Sequence, residues 1–138
     1  MANKKSAEIV MPLKIGDFVE GNGVFAGVLY DENGENPKSL FVAMEDTTEE
    51  MNWNEAMTQD YGQYHLPTIR ELEQIHLYKD AINAGLKKNG GEPLKRDWYW
   101  SSSEVSYGYA WQSDLNYSYG LGNYNKHHTS YVRPVLAL

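Results

Sequence analysis

The chain has 138 residues, a length typical of one compact domain, and 41% of them are hydrophobic, which is enough for a single folded core. Its net charge of −7 argues against nucleic acid as a partner, because no basic field attracts phosphate backbones. The absence of cysteine excludes disulfides and thiolate-based metal or catalytic sites, and no stretch approaches the ~20 apolar residues that span a bilayer, so no membrane insertion is expected.

The N-terminal part of the chain is predicted to form a meander of short β-strands. Apolar runs separated by glycine indicate strands at Ile9–Met11, Asp17–Glu20 and Val24–Tyr30. The segment Asp31–Pro37 is rich in Asn, Gly and Pro, residues that favour tight turns. It is therefore predicted to close a hairpin onto a strand at Ser39–Met44.

Two helices are predicted next, and each begins with the spacing of a capping box. Asn52 stands three residues before Glu55, and Thr68 stands three residues before Glu71. Apolar residues then continue at helical spacing, so we expect the second helix to be one long element that ends by Asn89. Both helices are interpreted as scaffold with solvated charged faces.

The C-terminal part returns to strand patterns, at Trp98–Trp100, Ala110–Leu115 and Tyr131–Leu138. Strands, helices and strands in this order predict an α+β fold in one domain, residues 1–138. Alternation along the strands predicts that Trp100, Trp111 and Val132 are buried. The tyrosines of the same region are expected to be exposed, namely Tyr107, Tyr109, Tyr117, Tyr119 and Tyr124.

Segment 105–131 differs in composition from the rest of the chain. It holds six of the eleven tyrosines, together with many Ser, Asn and Gly residues. Tyrosine gives a large contact area at low rotamer entropy, and Ser, Asn and Gly adapt their hydrogen bonds, as in antibody paratopes. The composition favours a ligand-binding surface; the alternative is an exposed Tyr-rich hairpin without a partner.

Six short motifs also occur in a distinctive order. They are Trp53-Asn-Glu-Ala56, His65-Leu-Pro-Thr68 with Glu71-Leu72, Tyr99-Trp-Ser-Ser-Ser-Glu104, Ala110-Trp111, Lys126 and Val132-Arg-Pro-Val135. This order resembles the C-type-lectin-like domain family of bacterial collagen-like adhesins and of the variable proteins of diversity-generating retroelements, including major-tropism-determinant-like receptor-binding proteins. The resemblance implies mixed, mostly antiparallel sheets, two helices, and an N-terminal strand paired with Val132–Leu138.

The resemblance further implies non-catalytic recognition, with 105–131 as the variable region of a retroelement-diversified receptor-binding protein of phage or bacterial origin. A fixed-specificity adhesin domain of the same family is the alternative. The expected partner is a cell-surface protein or glycan, no cofactor is expected, and an oligomer is left open. The residues expected to contact the ligand are Tyr107, Tyr109, Asp114, Tyr117, Tyr119, Asn123, Tyr124, Asn125, His127 and His128.

The location expected from the sequence is a phage tail or fibre tip, or the cytoplasm unless a partner carries the protein elsewhere. Residues 1–8 include two lysines but are followed by no apolar segment of the kind found in signal peptides.

Catalytic and metal sites are not favoured by the motifs present. The run Ser101–Ser103 lacks the G-x-S-x-G elbow of a serine nucleophile. His127 and His128 could be combined with Tyr124 or Asp114 as metal ligands, but adjacent residues on a strand point to opposite faces. Glu104 is expected to accept hydrogen bonds that set the base of the variable loop. We therefore expect neither an enzyme nor a metal site.

Overall fold

The computed structural model describes residues 12–116 and 120–138, which form an α+β fold with two antiparallel sheets, as the sequence predicts at the level of fold class. The predicted strand Ile9–Met11 and the predicted ligand-binding residues Tyr117 and Tyr119 lie outside these ranges. The described elements are β1 (Phe18–Val19), β2 (Gly23–Leu29), β3 (Lys38–Val42), α1 (Trp53–Thr58), α2 (Ile69–Leu77), α3 (Lys79–Lys88), β4 (Trp98–Glu104), β5 (Tyr109–Asp114), β6 (Leu121–Asn125) and β7 (Val135–Ala137).

The first sheet has the strand order β1-β2-β3-β7, with every neighbouring pair antiparallel. The predicted hairpin between β2 and β3 is present, and β7 pairs with the free edge of β3 through Val42 and Val135. The first predicted strand, Ile9–Met11, lies outside the described residues, so its expected pairing with Val132–Leu138 stays a prediction; among the described strands, β1 and β7 lie at opposite edges. The β2–β3 hairpin separates them.

The second sheet has the order β4-β5-β6, again antiparallel, with β5 in the centre. The C-terminal segment joins the two sheets. The carbonyl of Tyr131 accepts a hydrogen bond of 2.9 Å from the Trp100 amide of β4, and β7 follows a few residues later against β3. The position of the second sheet is therefore fixed by the same segment that completes the first.

Both predicted helix starts are confirmed in atomic detail. The Asn52 side chain accepts from the Glu55 amide at 2.9 Å, and the Glu55 carboxylate accepts from the Asn52 amide at the same distance. Thr68 and Glu71 repeat this reciprocal pair at 3.2 and 2.9 Å. Each capping box satisfies two amides that the first helical turn leaves without an internal partner.

The single long helix predicted after Thr68 is wrong, since the segment forms two helices, α2 and α3, that meet at Tyr78 (φ −111°, ψ 23°). No Gly or Pro between residues 69 and 84 signals the break. Tertiary packing gives a physical reason, because α3 lies directly against the Gly16 backbone. A Cβ atom on Gly85 would stand only 2.1 Å from the Gly16 carbonyl oxygen. The described residues thus hold three helices rather than two.

The core is divided between the two sheets. One cluster lies between the first sheet and helices α2 and α3, and includes Leu40, Leu72, Ile75 and Ile82. A second cluster covers one face of the β4-β5-β6 sheet and is built from Trp53, Ala56, Leu66, Trp100, Ala110 and Val132. No helix of the described ranges is long and apolar enough to cross a membrane.

Two of the three burial predictions for this region are confirmed, because Trp100 and Val132 are fully buried. Trp111 was expected to be buried as well, and it is only half-buried. Simple alternation fails along β5, since Gln112 and its neighbour Ser113 are both buried. One face of the strand meets the Trp100 cluster and the other meets α2, so the apolar–polar pattern does not mark a solvent side.

A buried ion network fastens the loop after β3 to the segment before β7. The Arg133 guanidinium is fully buried and donates to Asp46 Oδ1 at 2.6 Å and to the Ala43 carbonyl at 3.0 Å. Lys95 donates to Asp46 Oδ2 at 2.7 Å, and the Tyr99 hydroxyl donates to the same oxygen at 3.0 Å. Burial, helped by the Asp46 carboxylate, raises the pKa of Tyr99 far above its usual range, so its hydroxyl stays protonated.

Candidate ligand-binding surface

Exposed aromatic side chains gather at one end of the β4-β5-β6 sheet. Tyr107 is 99% exposed, Tyr109 46% and Tyr124 39%, so the exposure predicted for these three tyrosines is confirmed. They lie beside the turn after β6, where His127 and His128 are also exposed. We call this group the tyrosine surface; its members are Tyr107, Tyr109, Asn123, Tyr124, His127 and His128.

Strand register and two tight turns bring these residues together. Tyr109 pairs with Asn125 across the sheet, and just beyond this pair the Lys126 amide donates to the Gly108 carbonyl at 3.0 Å. The loop between β4 and β5 closes through the Val105 amide, which donates to the Tyr109 carbonyl at 2.9 Å. Two loops distant in sequence therefore lie side by side.

The turn after β6 is closed by Asn125. Its side chain accepts from the His127 amide at 2.8 Å, and its carbonyl accepts from the His128 amide at 3.0 Å. Asn125 is only half-exposed and its side chain is used within the turn, so it shapes the surface rather than standing out from it. Asn125 is one of the residues that the sequence predicts to contact the ligand, and the structure gives its side chain this role within the turn.

The tyrosines do not all project from the same side of the sheet. Residues directly opposite one another in an antiparallel pair share a face, and successive residues alternate. Tyr109 therefore shares one face with Asn125, whereas Tyr124 lies opposite Ala110 on the other face. The Tyr124 ring packs against His128, with ring centroids 4.2 Å apart. The tyrosine surface consequently wraps around the end of the sheet.

Lys126 forms the base of the loop that carries Tyr107. It is only 9% exposed, and its ammonium pairs with the Glu104 carboxylate and donates to the Tyr107 carbonyl at 2.8 Å. The same ammonium lies 4.4 Å from the centre of the Trp53 ring, within the range of a cation–π interaction. Glu104 thus accepts a hydrogen bond at the base of this loop, the role expected for it from the sequence.

The serines of β4 bind backbone groups beneath the surface. Ser101 Oγ donates to the Trp111 carbonyl at 2.6 Å and accepts from the Ser103 amide at 3.0 Å. Ser103 Oγ accepts from the Ile69 amide at 2.9 Å, at the start of α2. These hydroxyls connect β4 to β5 and to the adjoining helix, which is a framework function and not the environment of an activated nucleophile.

One predicted ligand-binding residue lies away from the others. Asp114 is at the far end of β5 from Tyr109, and only 6% of it is exposed. Its Oδ1 accepts from the Asn116 amide at 2.9 Å. The structure therefore does not bring Asp114 together with the tyrosine surface, and its carboxylate organises the start of the following turn instead.

The histidines are distributed over separate parts of the molecule. His65 Nε2 lies 2.9 Å from Glu71 Oε1, and this hydrogen bond raises the pKa of His65 above its usual value. His127 and His128 lie on the tyrosine surface. Over residues 12–116 and 120–138, no three His, Asp or Glu side chains come together as metal ligands.

Replacing Lys126 by Met is expected to loosen the 105–108 loop while the fold remains. Met still packs on Trp53 but cannot pair with Glu104 or donate to the Tyr107 carbonyl. Since the Glu104 side chain is 54% exposed, its carboxylate can return to water, and the unfolding free energy should fall by only about 1–3 kcal/mol. Amide hydrogen exchange in residues 105–109 should accelerate at least about tenfold, as measured by NMR.

The matched control is Lys38→Met, on an exposed lysine of the first sheet. It removes the same charge and should leave exchange in the loop unchanged. Unaltered exchange in the Lys126 variant would show that this lysine does not anchor the loop.

No protein-family model matches the chain, and no curated protein matches it. The functional interpretation therefore depends on the residues of the tyrosine surface and on the geometry that supports them.

Proposed function

We propose that the chain is a non-catalytic ligand-binding protein with a C-type-lectin-like fold, and that its tyrosine surface contacts the ligand. The observation that carries the proposal is the exposure of Tyr107, Tyr109 and Tyr124 above a hydrogen-bonded base. The fold part of the proposal is supported by three observations: two antiparallel sheets, helices packed beside them, and a C-terminal segment bonded to both sheets.

The exposed rings of these tyrosines contribute little to the stability of the free protein, so their apolar area remains available for binding. Tyr107 is almost completely solvated, so nearly all of its ring area remains to be buried against a partner. Aromatic residues are enriched at protein interfaces, where a few desolvated rings supply much of the binding free energy. Tyrosine also loses little rotamer entropy on binding. The surface is thus better suited to recognition than to chemistry.

The residues that hold the loop backbone are different from the residues that the tyrosine surface displays, and this separation supports sequence diversification as the source of specificity. Ser101 and Ser103 bond only to backbone groups here, and Lys126 bonds to the Tyr107 carbonyl and the Glu104 carboxylate, so these hydrogen bonds do not depend on the identity of a displayed side chain. The one displayed ring near this frame is that of Tyr107, whose centre lies 6.0 Å from the Lys126 ammonium. The displayed residues can therefore change without loss of the loop geometry. We infer that the chain is the variable protein of a diversity-generating retroelement, with 105–131 as its variable region.

The partner proposed for such a protein is a cell-surface protein or glycan, bound from a phage tail or fibre tip. The alternative within the same fold is an adhesin domain of fixed specificity. The encoding gene distinguishes the two. Diversification requires codons derived from AAC at the displayed positions, with a template repeat and a reverse-transcriptase gene nearby, whereas a fixed adhesin requires neither.

Replacing Tyr107 or Tyr124 by Ala is expected to weaken ligand binding by about 2 kcal/mol each, which is roughly thirtyfold in Kd. The unfolding free energy should change by no more than about 0.5 kcal/mol for the almost fully exposed Tyr107. The ligand is first identified by screening the intact protein against immobilised cell-surface glycans and membrane proteins. Affinity is then measured by biolayer interferometry, and stability by thermal melting.

Two further variants complete the experiment. Tyr109→Ala tests the opposite face of the sheet, so a loss confined to Tyr124 or to Tyr109 identifies the face that the ligand covers. Tyr30→Ala is the matched control, since Tyr30 is 50% exposed and directly follows β2 of the first sheet, away from the tyrosine surface. Unchanged affinity in the Tyr107, Tyr109 and Tyr124 variants would contradict the proposed binding surface.

A further inference from the structure

A cavity of about 560 Å³ lies between α3 and the segment that leads into β4, away from the tyrosine surface. Its apolar part includes Leu94 and Leu115, which are both buried. Three cationic side chains line it, Lys79, Lys87 and Arg96, against a single carboxylate, that of Asp80. Its volume is within the range of small-molecule sites.

The charge of this cavity is opposite to that of the chain. Acidic residues outnumber basic ones by 19 to 12, and the buried cations Lys126 and Arg133 have carboxylate partners. Lys95, which directly precedes the cavity residue Arg96 in the sequence, pairs with both Asp46 and Glu92. By contrast, the side chains of Lys87 and Arg96 form no ion pair or hydrogen bond within the described part of the chain. Two unpaired cations thus border one concavity in an acidic protein.

Two polar side chains of the cavity are held in place by backbone groups. Asn83 Oδ1 accepts from the Leu94 amide at 2.8 Å, which leaves the NH₂ group of this side chain as the donor. Lys79 Nζ donates to the Leu115 carbonyl at 3.1 Å, which holds its ammonium at the wall formed by the end of β5. The cavity therefore offers oriented donors as well as positive charge.

We propose that this cavity binds a small sugar that carries a phosphate or sulfate group. Such a group accepts charge-assisted hydrogen bonds from Lys87 and Arg96, and guanidinium is suited to tetrahedral oxyanions. The volume far exceeds that of an inorganic anion, and the Asn83 amide and the apolar wall at Leu94 and Leu115 match the polar edge and the apolar face of a sugar ring. This inference is independent of the tyrosine surface, since the two sites share no residue.

The test is isothermal titration of the intact protein at low ionic strength with glucose 6-phosphate, glucose 6-sulfate, glucose and inorganic phosphate. Lys87→Ala and Arg96→Ala should each weaken binding of the charged sugars at least about tenfold, because each removes a charged hydrogen-bond donor. Lys88→Ala is the matched control. Lys88 is the next residue of α3 and is also exposed, but it lines a different cavity, beside Gly16, and its variant should bind as the parent does.

A further variant, Ala84→Glu, places a carboxylate at the exposed wall of the cavity without removing any contact and should abolish binding. The relative affinities for the phosphate and the sulfate ester identify which group the site prefers. The proposal is overturned if neither ester binds saturably below about 10 mM. It is also overturned if glucose binds as tightly as its esters, or if inorganic phosphate binds as tightly as the sugar phosphate. Finally, it is overturned if Lys88→Ala loses as much affinity as Arg96→Ala. The Tyr107→Ala variant should retain binding of the esters, so failure at one site leaves the other unaffected.

Discussion

Replacing Trp100 by Ala is expected to lower the free energy of unfolding by about 3–5 kcal/mol, a large part of the roughly 5–15 kcal/mol available to a domain of this size. Trp100 is fully buried in the cluster that underlies the tyrosine surface, beside Trp53 and Val132. Its indole Nε1 also donates to the Met51 carbonyl at 2.8 Å. The substitution therefore leaves a cavity and removes one of two donors to the Met51 carbonyl, which still accepts from the Ser130 amide at 3.0 Å.

The control for this variant is Trp111→Ala, which removes the same side chain from the neighbouring strand. Trp111 is only half-buried, so less apolar area returns to water and we expect a loss of about 1–2 kcal/mol. Guanidinium unfolding of both variants measures the difference through the shift in midpoint at constant slope. Equal losses in the two variants would show that Trp100 is not the main support of this sheet.

The two tryptophans also show how far the sequence determines the fold. Local signals were sufficient for the helix starts at Asn52 and Thr68, because a capping box is complete within four residues. They were also sufficient for the hairpin that ends at β3. The partial burial of Trp111 could not be predicted, because β5 has the Trp100 cluster on one face and α2 on the other, so alternation marks no solvent side. The position of α3 likewise involves the close approach of Gly85 to Gly16, which are far apart in the sequence.

The candidate site was predictable in composition but not in geometry. The exposure of Tyr107 and Tyr124 followed from the Tyr-rich segment and its motifs. The projection of Tyr109 and Tyr124 from opposite faces depends on the strand register, which the sequence does not specify. The sequence marks Lys126 only as part of the motif order, because its burial between Glu104 and Trp53 depends on residues more than twenty positions away in the chain.

Replacing Arg133 by Met in the parent protein is expected to lower the free energy of unfolding by about 3–5 kcal/mol. Met fills much of the same space, so the loss comes chiefly from Asp46, whose side chain is only 2% exposed and loses its bond to the Arg133 guanidinium. The carbonyls of Ala43 and Glu92 lose their donors at the same time. A buried carboxylate left with fewer partners is costly because water cannot reach it.

A double-mutant cycle separates this interaction from general effects on packing. The loss of unfolding free energy caused by Asp46→Asn should be much smaller in the Arg133→Met background than in the parent protein. In that background the substitution removes a buried negative charge whose main remaining partner is Lys95. Arg96→Met is the matched surface control, since Arg96 is exposed and without an ion pair within the described residues, and it should change stability by no more than about 0.5 kcal/mol. Additive losses in the cycle would mean that Arg133 stabilises the fold through its packing and its bonds to the Ala43 and Glu92 carbonyls, and not through Asp46. Strong coupling would identify the Asp46–Arg133 pair as the contact that holds the C-terminal segment, and with it the second sheet and its tyrosine surface, against β3.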